Sequence, residues 1–390
     1  MGDQPLSSYI WPGETHFGLG ASQLAGHEAS RHGARHAFLL GDEGVAGAGL
    51  LQPALDSLEA AGVTADVYLD IPSNPDYAAV DAAAAACRAQ DCDVIVALGG
   101  GSVLDAAKGV RLLAAAPAGV SVGEYGLVPG VPRRPAPDLR QLPPLLAIPT
   151  TAGTGSEVTP WGVFTDLERG RKVAVGGAYL VPSQALVDPE LTCTLPPRLT
   201  AATGVDALAH CVEAYVSTRH NPLLDPMILY GVELIGRSLR RAVARPDDRD
   251  ARAEVMLAAL VGGIAISSKW LGACHSLAHQ LSSQAGLHHG EAIALMLPHQ
   301  MAFSLGAAAE RYARIAVALN GGATTDAEKA VDAVGALIAD VGLPARLRDA
   351  GVGRELLPTL AEKAYEDLNW STNPCPVTQE DMAHMYEQAY

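Results

Sequence analysis

Asp206 and His210 stand four residues apart in the run Asp206-Ala207-Leu208-Ala209-His210, which places a carboxylate and an imidazole on one face of a helix. The segment His275-Ser276-Leu277-Ala278-His279 repeats the spacing with two imidazoles, and His288-His289-Gly290 follows behind a glycine-bearing turn. Five of the 12 histidines fall between positions 275 and 299, a density that points to a shared partner. One carboxylate and three imidazoles make a donor set of borderline hardness, suited to Fe2+ or Zn2+ with room left for a substrate oxygen. Each pair taken alone also reads as a helix-surface contact, and His288 or His299 as a solvated or capping residue. It is their conjunction that indicates a divalent metal.

A second chemistry lies upstream. Gly99-Gly100-Gly101-Ser102-Val103-Leu104-Asp105-Ala106-Ala107-Lys108 follows an apolar run and opens a helical segment. Glycines there let the backbone approach a phosphate, and a helix N-terminus offers unpaired N–H groups and the positive end of its dipole. The spacing is neither the dinucleotide GxGxxG nor the Walker Gly-Lys-Ser/Thr, and strand-to-helix turns use glycine for steric reasons too. Pro149-Thr150-Thr151-Ala152-Gly153-Thr154-Gly155-Ser156-Glu157-Val158-Thr159 follows another apolar run and concentrates hydroxyls where open α/β sheets bind ligands. The alternative is a Ser/Thr-rich turn with a helix cap. Asp42, ending its strand, could accept from a ribose diol and would repel a 2′-phosphate, which favours NAD over NADP.

These residues need elements to hold them. In the first half, short β-type runs at 37–42, 67–70, 94–98 and 145–148 alternate with helical segments such as 49–61 and 77–90, implying an α/β domain with a mostly parallel sheet. Residues 116–144 form a long Pro- and Gly-rich connection, readable as functional or as a tolerated insertion. From Pro197 onward only helices are expected. A chain of 390 residues favours two domains, here 1–190, NAD-binding, and 191–390, all-helical and metal-binding.

The net charge of −16 disfavours nucleic acid, and Arg133-Arg134 and Arg240-Arg241 read as solvated surface. Six cysteines without a CxxC pair fit a reducing compartment and a cytoplasmic location. Met1 to Pro5 lacks the basic start of a leader, and no apolar run approaches the roughly 20 residues of a membrane span, so no membrane partner is expected.

Taken together, Gly99–Lys108, Pro149–Thr159, Thr203–Tyr215 and His275-x3-His279-x9-His289-Gly290 resemble the iron-containing (group III) alcohol dehydrogenases, in the family's order and spacing and over nearly the whole chain. The resemblance implies a dinucleotide-binding domain of the dehydroquinate synthase-like type, a helical domain with one Fe2+ or sometimes Zn2+, and a homodimer or higher oligomer. It implies metal ligation by Asp206, His210, His275 and His289, with His279 as a non-ligand histidine acting in proton transfer. It implies cofactor contacts from Asp42, Asn74, Gly99, Gly100, Gly101, Ser102, Asp105, Thr150, Thr151, Thr154, Thr159 and Lys172. The expected reaction is hydride transfer between NAD(H) and a small aldehyde or alcohol.

This chain departs from common members at Ser267-Ser268-Lys269-Trp270 and at Cys375. By resemblance Trp161, Lys269 and Asn369 approach the substrate, and a lysine there suggests an anionic aldehyde such as phosphonoacetaldehyde unless it faces solvent. Two other classes remain: an NAD- and metal-dependent lyase of the dehydroquinate synthase type, and a non-catalytic binding protein on the same scaffold.

Overall fold

Eight strands occur among the residues described by the computed structural model, which are 7–11 and 13–390; Met1 to Pro5, read above for a leader, lie outside them. β1 (Glu14–Phe17), β2 (His36–Leu40), β3 (Thr64–Tyr68), β4 (Val94–Gly99), β5 (Leu145–Pro149) and β8 (Gln184–Val187) form one parallel sheet in the order β1-β8-β5-β4-β2-β3. β6 (Trp161–Asp166) and β7 (Arg171–Gly176) pair separately as an antiparallel hairpin.

The central strands are apolar without interruption because both faces are covered. Phe38, Leu40, Ile95, Ala97, Leu145 and Ala147 enter one buried cluster, whereas Ala37, Leu39, Val94, Val96, Leu98, Leu146 and Ile148 enter another. This is the period of two expected of a strand, read out on opposite faces. Helices α1 (Ala25–Arg31) and α3 (Gln52–Ala60) supply Ala25, Ala29, Ala54 and Leu58 to the second cluster. α2 (Glu43–Gly47) lies between them in sequence, and α4 (Tyr77–Ala89) and α5 (Gly101–Ala114) supply Val80, Ala83, Leu104 and Val110 to the first.

The expected parallel sheet is present, but β1, β8 and the hairpin carry no clear sequence signal. β1 is four residues long with no fully buried position. β8 is equally short and begins at Gln184. β3 starts before its apolar residues because it is the edge strand, its side chains partly or fully exposed.

Beyond Pro197 the described residues form α6 (Pro197–Val216), α7 (Asp225–Ala244), α8 (Arg249–Lys269), α9 (Ala273–Ala285), α10 (His289–Ser304), α11 (Ala309–Asn320), α12 (Glu328–Asp340), α13 (Leu357–Glu366) and α14 (Gln379–Ala389), with short 3-10 turns between α10 and α11, between α12 and α13 and between α13 and α14. α6 is buried on every face from Thr200 to Val216, as a central helix must be if it is apolar all round. α8 is long and apolar enough to cross a bilayer, which the sequence reading above did not anticipate; 72% of its most apolar window is buried within the protein, as in a core helix.

Contacts divide the chain into two compact units that interleave rather than meet at residue 190. One is Trp11–Thr151 with Ser156–Thr194; the other takes the described residues up to Ile10, Ala152–Gly155, and Leu195–Tyr390. Residues 152–155 join the helical unit by direct backbone contact: a Cβ on Gly155 would lie 2.4 Å from Gly263 Cα in α8.

Candidate metal centre and cofactor turn

Asp206, His210 and Glu213 fall at i, i+4 and i+7 of α6, one polar stripe on an otherwise apolar helix. His275 and His279 sit one turn apart near the start of α9, and His289 is the first residue of α10. Gly290 explains how α10 starts so close to α6: a Cβ there would stand 2.2 Å from the carbonyl oxygen of Ala202, one turn before Asp206. The His-Gly pair is therefore a packing requirement that delivers an imidazole.

The result is a convergence of four donors. Asp206 Oδ1 lies 3.6 Å from the Nε2 atoms of His210, His275 and His289 alike. The donor atoms of Asp206, His210 and His275 all lie within 4.8 Å of one another, and the three residues are buried. Asp206 Oδ1 and His275 Nε2 have no hydrogen-bond partner, although a buried polar atom left unpaired costs about 1–3 kcal/mol. Four ligands held tetrahedrally at about 2.0–2.2 Å from an ion stand about 3.3–3.6 Å apart. The residues thus fit a divalent metal, in separation and in the identity of the atoms left unpaired. Burial opposes ionisation of Asp206, but His210, His289 and His275 outweigh it and hold its carboxyl below the usual carboxylate range.

Two carboxylates that the sequence did not single out orient this cluster. Glu213 accepts from His275 Nδ1 and, at 2.8 Å, from the Cys274 amide. α9 begins beside it, since a Cβ on Gly272 would lie 2.7 Å from Glu213 Oε1. Burial disfavours the charged imidazole of His275, yet Glu213 and Asp206 prevail and raise its pKa to about 9. Asp367 plays the equivalent part for His279, accepting at 2.7 Å from Nδ1. In α6 the signal for Glu213 was available as the i+7 member of the stripe; Asp367 lies 88 residues from His279, with no local pattern to betray it.

Glu213→Ala is expected to weaken metal binding by about 10–100-fold, the usual effect of removing a carboxylate that orients a ligating imidazole. Competition titration with a metallochromic chelator measures it. Unchanged affinity would show that His275 needs no such support.

The residues expected to approach the substrate have partners inside the protein. Lys269 is 1% exposed, and its Nζ bonds Asp225 Oδ1 at 3.0 Å. Asp225 Oδ2 pairs in turn with Arg311 at 2.7 Å. The lysine therefore faces neither solvent nor an incoming anion, and the charge-based case for an anionic substrate lapses. Asn369 donates from Nδ2 to Asp367 Oδ1 at 2.9 Å, which makes it part of the support of His279. Trp161 opens β6, with its carbonyl taken by Lys108 at 2.7 Å.

In the α/β unit, Gly99 closes β4 and α5 begins at Gly101, with no side chain capping its N-terminus. A Cβ on Gly99 would clash with Val103, so this glycine has a steric reason as well. The uncapped amides at the start of this 14-residue helix are N–H donors of the kind that can bind an anion. Ser102 Oγ donates to the Ser73 carbonyl, Thr150 N donates to Gly99 O at 3.0 Å, and Thr151 packs beside Gly100. Lys172 Nζ donates to Asn74 Oδ1 at 2.7 Å. Asp42 lies beyond the C-terminal end of β2 and caps α2 through Oδ1, accepting from Val45 N at 2.8 Å. Turn, hydroxyls and carboxylate thus share the C-terminal ends of β2, β4 and β5, where such sheets bind ligands.

Three other expected contacts have internal duties or lie in the other unit. Asp105 accepts from Ser156 Oγ and from Val163 N, and Thr159 Oγ1 accepts from Lys108 at 2.9 Å. Thr154 belongs to the helical unit. Lys108 is fully buried and bonded to Ser156, Thr159 and Trp161; burial lowers its pKa to about 8.

A sequence profile described as "Iron-containing alcohol dehydrogenase" matches residues 12–189, and one described as "Fe-containing alcohol dehydrogenase family, C-terminal" matches residues 200–390. The chain is 37% identical over 383 residues to a 4-hydroxybutyrate dehydrogenase of Cupriavidus necator, covering 96% of this chain and 97% of that one. It is 36% identical over 392 residues to a 1,3-propanediol dehydrogenase of Klebsiella pneumoniae, covering 99% of each. A solved 1,3-propanediol oxidoreductase superposes with a TM-score of 0.92 at 35% identity, covering 99% of this chain and 100% of that one.

Proposed function

This chain belongs to the iron-containing alcohol dehydrogenase family, and from that premise we propose that it interconverts a small uncharged aldehyde and its alcohol with NAD(H) and one Fe2+. It is an oxidoreductase acting on alcohols, which sets aside the lyase and the non-catalytic binding protein. The observation that carries the proposal is the placing of three imidazole Nε2 atoms 3.6 Å from a single buried carboxylate oxygen with no hydrogen-bond partner.

Asp206, His210, His275 and His289 hold the ion, and Zn2+ is the competing occupant the same donors accept. When bound, the metal supplies Lewis-acid polarisation of a carbonyl oxygen and the nicotinamide supplies the hydride. Glu213 fixes the His275 ring, so that Nε2 faces Asp206. His279 is committed through Nδ1 to Asp367, which leaves Nε2 as the atom that holds or moves a proton. In the α/β unit the uncapped amides at Gly101 and Ser102 receive the pyrophosphate, and Asp42 disfavours a 2′-phosphate, hence NAD over NADP. All six cysteines are free, as suits a reducing cytoplasm, and a homo-oligomer is the assembly proposed.

The test follows NADH absorbance with anaerobically Fe2+-loaded protein against neutral and anionic small aldehydes. Neutral aldehydes are expected to turn over best, and Lys269→Met to leave the neutral-to-anionic ratio of kcat/KM unchanged while lowering the unfolding free energy by about 1–3 kcal/mol. A preference for anionic aldehydes that Lys269→Met abolishes would overturn the uncharged substrate. No NADH oxidation with metal confirmed bound would overturn the reaction itself.

A further inference from the structure

The end of the parallel sheet opposite the Gly99–Ser102 turn carries a cluster with no part in the site described above. His36 is the first residue of β2, Asp66 lies in β3, and Cys92 stands in the turn that leads into β4. His36 Nε2 is 2.8 Å from Asp66 Oδ2. With the thiol of Cys92, the three donor atoms lie within 4.8 Å of one another, and all three residues are partly exposed.

Three features separate this group from an ordinary surface ion pair. The backbone under it is fixed: β2 pairs with β3 and β4, and Asp93 Oδ2 accepts from the amides of Arg35 and His36 at 2.8 and 3.0 Å, tying the Cys92 turn to the start of β2. Among the described residues no lysine or arginine pairs with Asp66, whereas the comparable cluster of Glu14, His16 and Glu28 already holds Arg31 at 2.9 and 2.8 Å from its two carboxylates. The donor set is also mixed, since Cys92 adds a sulfur with no hydrogen bond among the described residues to the nitrogen and oxygen.

We propose that His36, Asp66 and Cys92 form a second metal site, for a thiophilic borderline divalent cation, with Zn2+ the best match. Binding releases the thiol proton to solvent and forms one metal–sulfur bond, and water completes the coordination. The ion ties β2, β3 and the turn before β4 together, far along the strands from the cofactor turn.

Co2+ is the probe that distinguishes the two sites, because Asp206, His210, His275 and His289 offer no sulfur. Titrating the full chain is expected to give a thiolate-to-cobalt charge-transfer band in the near ultraviolet, with one equivalent bound beyond the first centre and displaced by Zn2+. Cys92→Ser is expected to abolish the band and that equivalent, and His36→Ala to weaken it by about 10-fold or more; both retain aldehyde reduction, which shows that they fold. His275→Ala, which disables only the first centre, keeps the band. Absence of any band would overturn the proposal, as would a band that survives Cys92→Ser and disappears in Cys274→Ser.

Discussion

Asp206→Ala is expected to fold, to retain no Fe2+ after anaerobic loading and desalting, and to oxidise NADH with aldehyde no faster than background. Asp206 is the one anionic donor among the four proposed ligands, and its Oδ1 is the atom equidistant from the three imidazoles. Without it the dication would meet three neutral nitrogens and no compensating charge. Glu213, one turn further along α6 than His210, already bonds His275 and the Cys274 amide. The loss should therefore exceed the about 10–100-fold in affinity that an orienting group such as Glu213 is worth. Metal content by mass spectrometry, thermal unfolding and NADH turnover are measured on one preparation. Asp206→Asn, which keeps the shape and removes the charge, should fall between wild type and alanine in metal content. Stoichiometric Fe2+ in an inactive but folded Asp206→Ala would show that this carboxylate serves the reaction without holding the ion.

The four proposed ligands were legible because ligand chemistry needs particular side chains and helices fix their spacing. Asp206-x3-His210 and His275-x3-His279 announce shared faces before any fold is known. What a local pattern cannot say is which imidazole of a pair turns toward the carboxylate. His275 and His279 are both on α9, yet one faces Asp206 and the other faces Asp367. Lys269 shows the same limit for charge. Beside a candidate site a lysine invites an anion, and nothing nearby in sequence reveals that Asp225, 44 residues away, already holds it. The sheet was legible where strands are buried on both faces, at β2, β4 and β5. It was not legible at β1, a four-residue strand with no buried position, where register comes from pairing to β8 rather than from hydrophobic pattern. The interleaving of residues 152–155 with the helical unit rests on backbone contact at Gly155, a signal that composition does not carry.

His279→Ala is expected to keep its full complement of metal and to lose about 10²–10⁴-fold in kcat, the range that separates a positioned proton donor from none. The ring lies close to the cluster, 6.1 Å from His275 and 5.3 Å from His289 between centroids, but its Nδ1 is directed at Asp367. Asp367 is itself fully engaged. Its Oδ1 accepts from Asn369 N and Nδ2 at 2.9 Å each and from Ser276 Oγ at 3.3 Å, which leaves Oδ2 for the imidazole. A carboxylate so held cannot swing away, so it selects the tautomer with the proton on Nδ1 and keeps Nε2 available for exchange. Reduction of a carbonyl needs one proton for the alcohol oxygen, and Nε2 is the group proposed to relay it, directly or through water. Asp367→Asn should then lower kcat with KM and metal content held, by a smaller factor than His279→Ala, and Asn369→Ala by less again. The contrast with His275→Ala is decisive, because that variant should lose metal and rate together. Equal metal loss in His275→Ala and His279→Ala would place both rings on the ion and remove the proton relay.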